Sequence, residues 1–388
     1  MERLCRKNLC TGCGACAAAC PKNCIVMTPD EEGFLRPVIR EEECVHCGLC
    51  AAGCPIRETR PERAGETVAY GAVSHDRETR LESTSGGIFT LLCRWVLDRG
   101  GVVFGAAYRE DFSVAHCRVE TSADIAKLRG AKYAQSALGD TFAQVKVCLE
   151  QGRTVLFSGT PCQVGGLKSF LKKDYVNLIL ADLICHGVPS PAVWQDYVQY
   201  RSREDAHGER PAVVNLRSKA TGWPGYSARF AYSGGAVYSA LNRHDPYLRG
   251  FVGNLYLRPS CHECHFKGTE RQSDFTLGDY WGVWDRQPYL HDGAGTSLVL
   301  LHTDKAREIW QQLSPEMEYM VLNAADALAE NPSALESAPL TEKRSRFFEN
   351  WRRQDFAALV EELCPLPPPP KKASFVKRVA RKLRRLLR

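Results

Sequence analysis

The chain has 388 residues, is 44% hydrophobic and 25% charged, and contains 18 cysteines. This is the composition of an ordinary globular protein with room for a small domain and one large or two medium ones. The net charge of +6 comes from the end of the chain: Lys371 to Arg388 hold nine Lys or Arg and no Asp or Glu, so the remainder is mildly acidic and gives no argument for nucleic acid.

The first predicted elements are two matching cysteine runs. Cys10, Cys13, Cys16 and Cys20 precede Pro21, and Cys44, Cys47, Cys50 and Cys54 precede Pro55. Both have the spacing of a two-cluster bacterial ferredoxin, in which three close thiolates hold one cubane and the fourth serves the other. The predicted ligand groups are Cys10, Cys13, Cys16 with Cys54, and Cys44, Cys47, Cys50 with Cys20. Zinc knuckles and disulfides fit this doubled run poorly. Thiolate-held clusters need a reducing interior. Met1 to Cys10 has no apolar signal core, and no run reaches the eighteen apolar residues of a membrane span. The expected location is therefore cytoplasmic.

Between the runs, Cys24 to Met27 and Leu35 to Ile39 read as short strands. Arg57 to Thr67 reads as a linker. Val68 to Val73, Ile88 to Asp98 and Val102 to Tyr108 then form a strand–helix–strand pattern, which implies parallel strands. Ser83-Thr84-Ser85-Gly86-Gly87 is the turn before that helix. Its backbone N–H groups suit a pyrophosphate or a flavin phosphate, or simply make a tight turn. Arg129 to Ser136 combines cationic, aromatic and hydroxyl groups that could line a cofactor or a polar surface.

A second unit has a strand at Thr154 to Phe157 and a helix from Pro161 to about Lys173 capped by Thr160. Its second strand runs from Val176 to Ile184. Cys162 opens the helix, where free N–H groups and the helix dipole favour a thiolate. Cys185 ends the second strand. Adjacent parallel strands would bring both cysteines to one sheet edge, where open α/β sheets bind ligands. Cys261 and Cys264 add two thiolates at metal-binding spacing. The four could hold a third [4Fe–4S] cluster or a zinc ion, or be unrelated. His186 could donate a proton or be a hydrogen-bonded structural residue. Cys5, Cys24, Cys93, Cys117, Cys148 and Cys364 read as ordinary residues. Residues 212–240 suggest antiparallel hairpins, and Glu342 to Leu363 one amphipathic helix. Pro365 to Pro370 should be stiff. A helix over the tail would set Phe375, Val379, Leu383 and Leu386 against interleaved cations. That pattern suits an anionic membrane surface; the alternatives are a solvated tail or docking on an acidic partner.

From about Val68 to Trp284 the chain resembles the coenzyme F420 hydrogenase/dehydrogenase beta-subunit family. The matching stretches are Ser85-Gly86-Gly87, Arg129-Gly130-Ala131-Lys132-Tyr133, Gly159-Thr160-Pro161-Cys162-Gln163, Cys185-His186-Gly187-Val188-Pro189-Ser190, the Cys261/Cys264 pair and Leu277-Gly278-Asp279-Tyr280-Trp281-Gly282. The resemblance implies an FAD-binding domain with its own [4Fe–4S] cluster at Cys162, Cys185, Cys261 and Cys264. It also implies that Ser85, Gly86, Gly87, Lys132, Tyr133 and Thr160 lie near FAD.

The expected fold class is α+β, a dicluster ferredoxin module followed by an α/β flavin-binding domain with a mixed sheet. The expected divisions are 1–56 for the cluster module, 57–67 for a linker and 68–330 for the FAD and iron–sulfur domain. A helical segment at 331–364 and a linker with basic tail at 365–388 follow. The expected activity is electron transfer between the clusters and FAD, and on to a deazaflavin-like or other organic acceptor. A redox partner protein or a small molecule would supply or take the electrons. The alternatives are an electron-transfer subunit with no substrate of its own and a non-catalytic, metal-stabilised adaptor in surface-polysaccharide biosynthesis.

Overall fold

The computed structural model describes residues 4–57 and 66–366. Two short strands come first, β1 (Ile25–Pro29) and β2 (Leu35–Ile39), paired antiparallel from Ile25↔Ile39 to Pro29↔Leu35. Each cysteine run turns into a single helical turn, Ala15–Ala18 in the first and Leu49–Ala52 in the second. Both turns are entered through a left-handed glycine, Gly14 at φ 72° and Gly48 at φ 76°. Glycine adopts that conformation without a Cβ penalty, so the repeated spacing folds as a repeated shape.

The body contributes β3 (Val68–Ser74), β4 (Val102–Tyr108), β5 (Val114–Val119), β6 (Val155–Ser158), β7 (Leu178–Leu183) and β8 (Pro211–Ser218). It continues with β9 (Ser227–Tyr232), β10 (Val237–Leu241), β11 (Phe275–Asp279), β12 (Ser297–Leu301) and β13 (Met317–Leu322). Eight of these strands form one mixed sheet in the order β13-β3-β12-β11-β7-β6-β4-β5. Its centre, β11-β7-β6-β4, is parallel, and antiparallel pairs flank it on both sides. β8, β9 and β10 make a separate antiparallel sheet, as the alternating run suggested.

The central strands are apolar on both faces because helices cover both faces. Leu91, Leu92, Ile309 and Trp310 pack one side against Val103, Leu156 and Ile179. Phe142, Val145, Val164 and Leu167 pack the other against Phe104 and Phe157. Val155, Leu156 and Phe157 are fully buried, each such side chain contributing about 1.5–3 kcal/mol. A third, aromatic core joins the Pro191–Ala206 helix to the small sheet and the C-terminal helices, with Trp194, Tyr197, Tyr247, Tyr256 and Phe347 at its centre.

The strand–helix–strand expectations come out differently in the two units. β6 and β7 are adjacent and parallel, from Val155↔Leu178 to Ser158↔Ala181. β3 and β4 run in the same direction but are separated by β12, β11, β7 and β6. β3 instead takes antiparallel partners on both sides, β12 and β13, which come from much later in the chain. The expected helix over 342–363 is two helices, Glu342–Asn350 and Phe356–Leu363. Asp355 explains the break, since its Oδ1 accepts from Ala358 N at 2.8 Å and starts a new helix. Most of the 57–67 linker, and the basic tail from residue 367 on, lie outside the described residues. No helix among the described residues is long and apolar enough to cross a membrane.

Candidate functional site

The two cysteine runs cross over as the spacing suggests. One small cavity is lined by Cys20 together with Cys44, Cys47 and Cys50. In the other group, burial and then the neighbouring thiols of Cys10 and Cys54 push the Cys16 thiol up to about 12. Each group has a fifth thiol close by. Cys24 Sγ lies 3.4 Å from Cys20 Sγ, and the Cys5 thiol, raised mainly by burial, also feels Cys54 and Cys10. Sequence reading passed over both cysteines because neither belongs to the repeated spacing.

The adjacency of β6 and β7 has the expected consequence. Cys162 opens the Pro161–Leu171 helix after β6, and Cys185 follows β7. The pair Cys261 and Cys264 arrives from the loop before β11, and all four thiols line one cavity. Hydrogen-bond donors are aimed at their sulfurs. Val188 N reaches Cys261 Sγ at 3.3 Å and Phe266 N reaches Cys264 Sγ at 3.4 Å. Thr160 Oγ1 lies 3.1 Å from Cys162 Sγ. N–H groups directed at sulfurs in this way would tune the potential of a cluster bound there. Burial dominates the thiols: it pushes Cys162 up to about 11 and Cys261 up to about 12, and raises Cys185 as well. At Cys162 burial therefore outweighs the helix N-terminus invoked from sequence. Four crowded buried thiols need a cationic centre to exist as thiolates.

A larger cavity of about 500 Å³ opens beside this set, at the carboxyl ends of the parallel strands. Ser85, Gly87, Lys132, Tyr133 and Thr160 line it, as do Cys162 and Cys185. Its volume lies within the range of cofactor pockets, and its position is the switch-point edge of an α/β sheet. Among the described residues the Lys132 ammonium donates to the carbonyls of Lys127 and Arg129, and burial lowers its pKa to about 7. Tyr133 stacks on Phe251 with ring centroids 4.6 Å apart, and its hydroxyl accepts from Arg217. Arg217 is in turn held by Asp279 at 2.9 Å. The Thr160 N–H donates to Gln163 Oε1 at 2.9 Å, which fixes the turn before Cys162.

Gly86 is the exception among the residues expected near a cofactor. It is not on the cavity wall. A Cβ there would fall 2.2 Å from Ala72 O and 2.7 Å from Ser297 N. Its glycine is required by packing between β3 and β12, so a larger side chain at this position would disturb the sheet.

His186 also lines the large cavity, with Nε2 2.7 Å from Asn254 Oδ1 and Nδ1 3.3 Å from Ser333 Oγ. Both ring nitrogens are thus partnered, and burial lowers its pKa. That is the arrangement of a structural, neutral imidazole.

Several residues with no sequence signature join these parts. Thr11 and Gly12 of the first cysteine run line the large cavity, and Thr11 Oγ1 is buried there with no hydrogen-bond partner among the described residues. Gln135 Oε1 accepts from Leu35 N at 3.0 Å and from Arg258 Nη1 at 3.1 Å. Gly166 gives Cys13 its seat, since a Cβ on it would lie 2.9 Å from Cys13 Sγ. The helix that presents Cys162 at its start therefore receives the first cysteine run on its flank.

Residues 9–57 match the family described as 4Fe-4S dicluster domain. Residues 152–327 match the family that describes the C terminus of the beta subunit of coenzyme F420 hydrogenase/dehydrogenase. No curated protein matches the chain. Among solved structures, a chain from the work titled "Xenon derivatization of the F420-reducing [NiFe] hydrogenase complex from Methanosarcina barkeri" is similar, with 18% identity and a TM-score of 0.47. The alignment covers 71% of this chain and 92% of that one. The chain is thus similar to a 4Fe–4S dicluster domain over residues 9–57 and to the C terminus of that beta-subunit family over residues 152–327.

Proposed function

We propose that this protein is an iron–sulfur flavoprotein oxidoreductase that moves electrons between its N-terminal clusters and FAD in the large cavity, and on to a deazaflavin-like or other organic acceptor. The observation that carries this reading is a shared wall: Thr11 and Gly12 of the first run, and Cys162 and Cys185 of the four-thiol set, line the same cavity. The outer cluster belongs to Cys44, Cys47, Cys50 and Cys20, and the inner one to Cys10, Cys13, Cys16 and Cys54. Cys162, Cys185, Cys261 and Cys264 hold a third [4Fe–4S] cluster. The chemistry FAD supplies when bound is exchange between one-electron carriers and two-electron substrates.

The chain's own residues position and shield. Cys13 packs on Gly166, which seats the inner group against the Cys162 helix. Lys132 lines the cavity and, among the described residues, donates to neutral carbonyls, so a phosphate bound there would hold it protonated. Ser85, Gly87 and Thr160 offer turn backbone and hydroxyls along the same wall. The Arg217–Asp279 pair and Trp281 close its far side. In this reading the working divisions are 1–56, 68–330 and 331–364, and the external donor or acceptor is a redox protein or a small molecule. The basic tail after Pro370 tethers the otherwise cytoplasmic protein to anionic membrane. Salt-sensitive binding to anionic but not neutral liposomes should vanish on truncation there; equal binding by the truncated chain would exclude the tail as anchor.

The family description names a subunit, which favours a second reading in which the chain only wires a partner enzyme. Reduction of a soluble organic acceptor by the purified protein alone separates the two. The metal assignment has its own test: Cys264→Ser should lower iron from about twelve to about eight per chain and leave the ferredoxin-type signals intact. An unchanged iron count, or about one zinc per chain, would exclude the third cluster.

A further inference from the structure

Arg258 is a fully buried cation with no carboxylate partner among the described residues. Its Nε donates to Cys10 O at 2.7 Å, and its Nη2 donates to Leu35 O at 3.0 Å and approaches Cys10 Sγ at 3.7 Å. Its Nη1 donates to Gln135 Oε1 at 3.1 Å. The guanidinium lies 5.4 Å from the ring centroid of Phe34, a side chain that is itself fully buried. The nearby Asp30 carboxylate is occupied by Arg36, at 2.5 Å. On its other side Arg258 lines the four-thiol cavity, and its carbonyl accepts from Cys261 N at 2.9 Å. Arg258 thus sits between the first cysteine run and the second thiolate set, its own hydrogen bonds going to neutral acceptors and sulfur, with the Arg36–Asp30 pair beyond them. A cation is costly to bury in this way unless negative charge offsets it.

We infer that Arg258 is a positioning residue that raises the reduction potential of the inner cluster above that of the outer one, so that an electron taken up at the surface settles next to the third thiolate set. The inference rests on the inner ligand group proposed above. The step is one electron, lost by the outer centre and gained by the inner one, with no bond formed or broken and no proton moved. Gaining it adds one negative charge to thiolate-held iron. A fixed cation in a low-dielectric interior stabilises that added charge, and hydrogen bonds to ligand sulfurs act in the same direction. Among the described residues the outer group has no buried guanidinium: Lys22 and His46 line its cavity but are exposed, as is Cys47, and water screens them.

The test is a potentiometric titration, followed by electron paramagnetic resonance, of the full-length protein and the variants Arg258→Gln and Arg258→Lys. With iron content retained, Arg258→Gln should make the inner cluster at least tenfold harder to reduce relative to the outer one, about 59 mV for one electron. Arg258→Lys keeps the charge but loses the fork, and should shift it less. If Arg258→Gln loses iron, Arg258→Lys decides, together with nitrogen hyperfine coupling in wild-type protein carrying ¹⁵N-labelled arginine. One reduced cluster should show that coupling, and Arg258→Lys should abolish it. Unchanged midpoints in an iron-replete variant, or no arginine coupling to either cluster, would overturn the inference. Failure of the underlying assignment looks different: Cys10→Ser would then remove no cluster.

Discussion

Cys13 of the first run is buried against Gly166 of the Pro161–Leu171 helix, whereas its counterpart Cys47 in the second run is exposed. Around the second run Val38 and Val45 stand out in solvent, both at least half exposed. Around the first, Arg258, Gln135 and Leu35 close a buried hydrogen-bond network. Two runs of one spacing are therefore placed in opposite surroundings. Spacing decides which thiols can share iron; the body decides which of the two sites faces inward. The exposed cysteine opens the second site to a partner, while the first site has Cys13 packed against the sheet domain.

Filling the seat of Cys13 breaks that contrast most severely. Gly166→Leu puts a side chain where Cys13 lies and should cost the inner cluster, so iron falls by about four per chain while the outer signal persists. Retention of all iron would mean that the first run does not need this seat. Val38→Ser, on the outer side, should leave the iron content unchanged.

A smaller effect should distinguish the two sides in stability. Arg344 bonds Glu32 with both terminal nitrogens, donates Nε to Leu257 O at 2.8 Å, and lies 4.7 Å from the ring centroid of Phe348. It ties the loop before β2 to the C-terminal helices, and its side chain is 8% exposed. Arg344→Ala should cost about 2–4 kcal/mol in denaturant unfolding, because it strips a mostly buried pair of one partner. The Lys7–Glu31 pair, 3.1 Å apart, has side chains 67% and 84% exposed. Lys7→Ala should change stability by no more than about 0.5 kcal/mol. Equal losses from the two variants would mean that the first run is not clamped to the body.

Much of this arrangement could be read from residue order. The cysteine spacing implied the crossed ligand groups, and the β6–helix–β7 unit implied that Cys162 and Cys185 meet at one edge. Both inferences use short-range geometry, which sequence encodes directly. The place of β3 could not be read, because its partners β12 and β13 come from the far end of the chain. The role of Arg258 was invisible for the same reason: an arginine before Pro259 carries no motif, and only the docked first run makes it a buried cation between two thiol sets. At Gly86 the turn composition suits phosphate binding, while the close approach that requires a glycine there is to Ala72 and Ser297, which only the folded sheet brings near. Asp355 was a legible helix-start signal inside a run whose amphipathic period suggested continuity.

The central claim is that three thiolate sets and one flavin cavity form a single electron-carrying assembly. The most direct measurement is the iron, acid-labile sulfide, zinc and flavin content of the full-length protein purified without oxygen. The account predicts about twelve iron and twelve sulfide with one FAD per chain. About eight iron with one zinc, or a preparation without flavin that takes none up from added FAD, would contradict it.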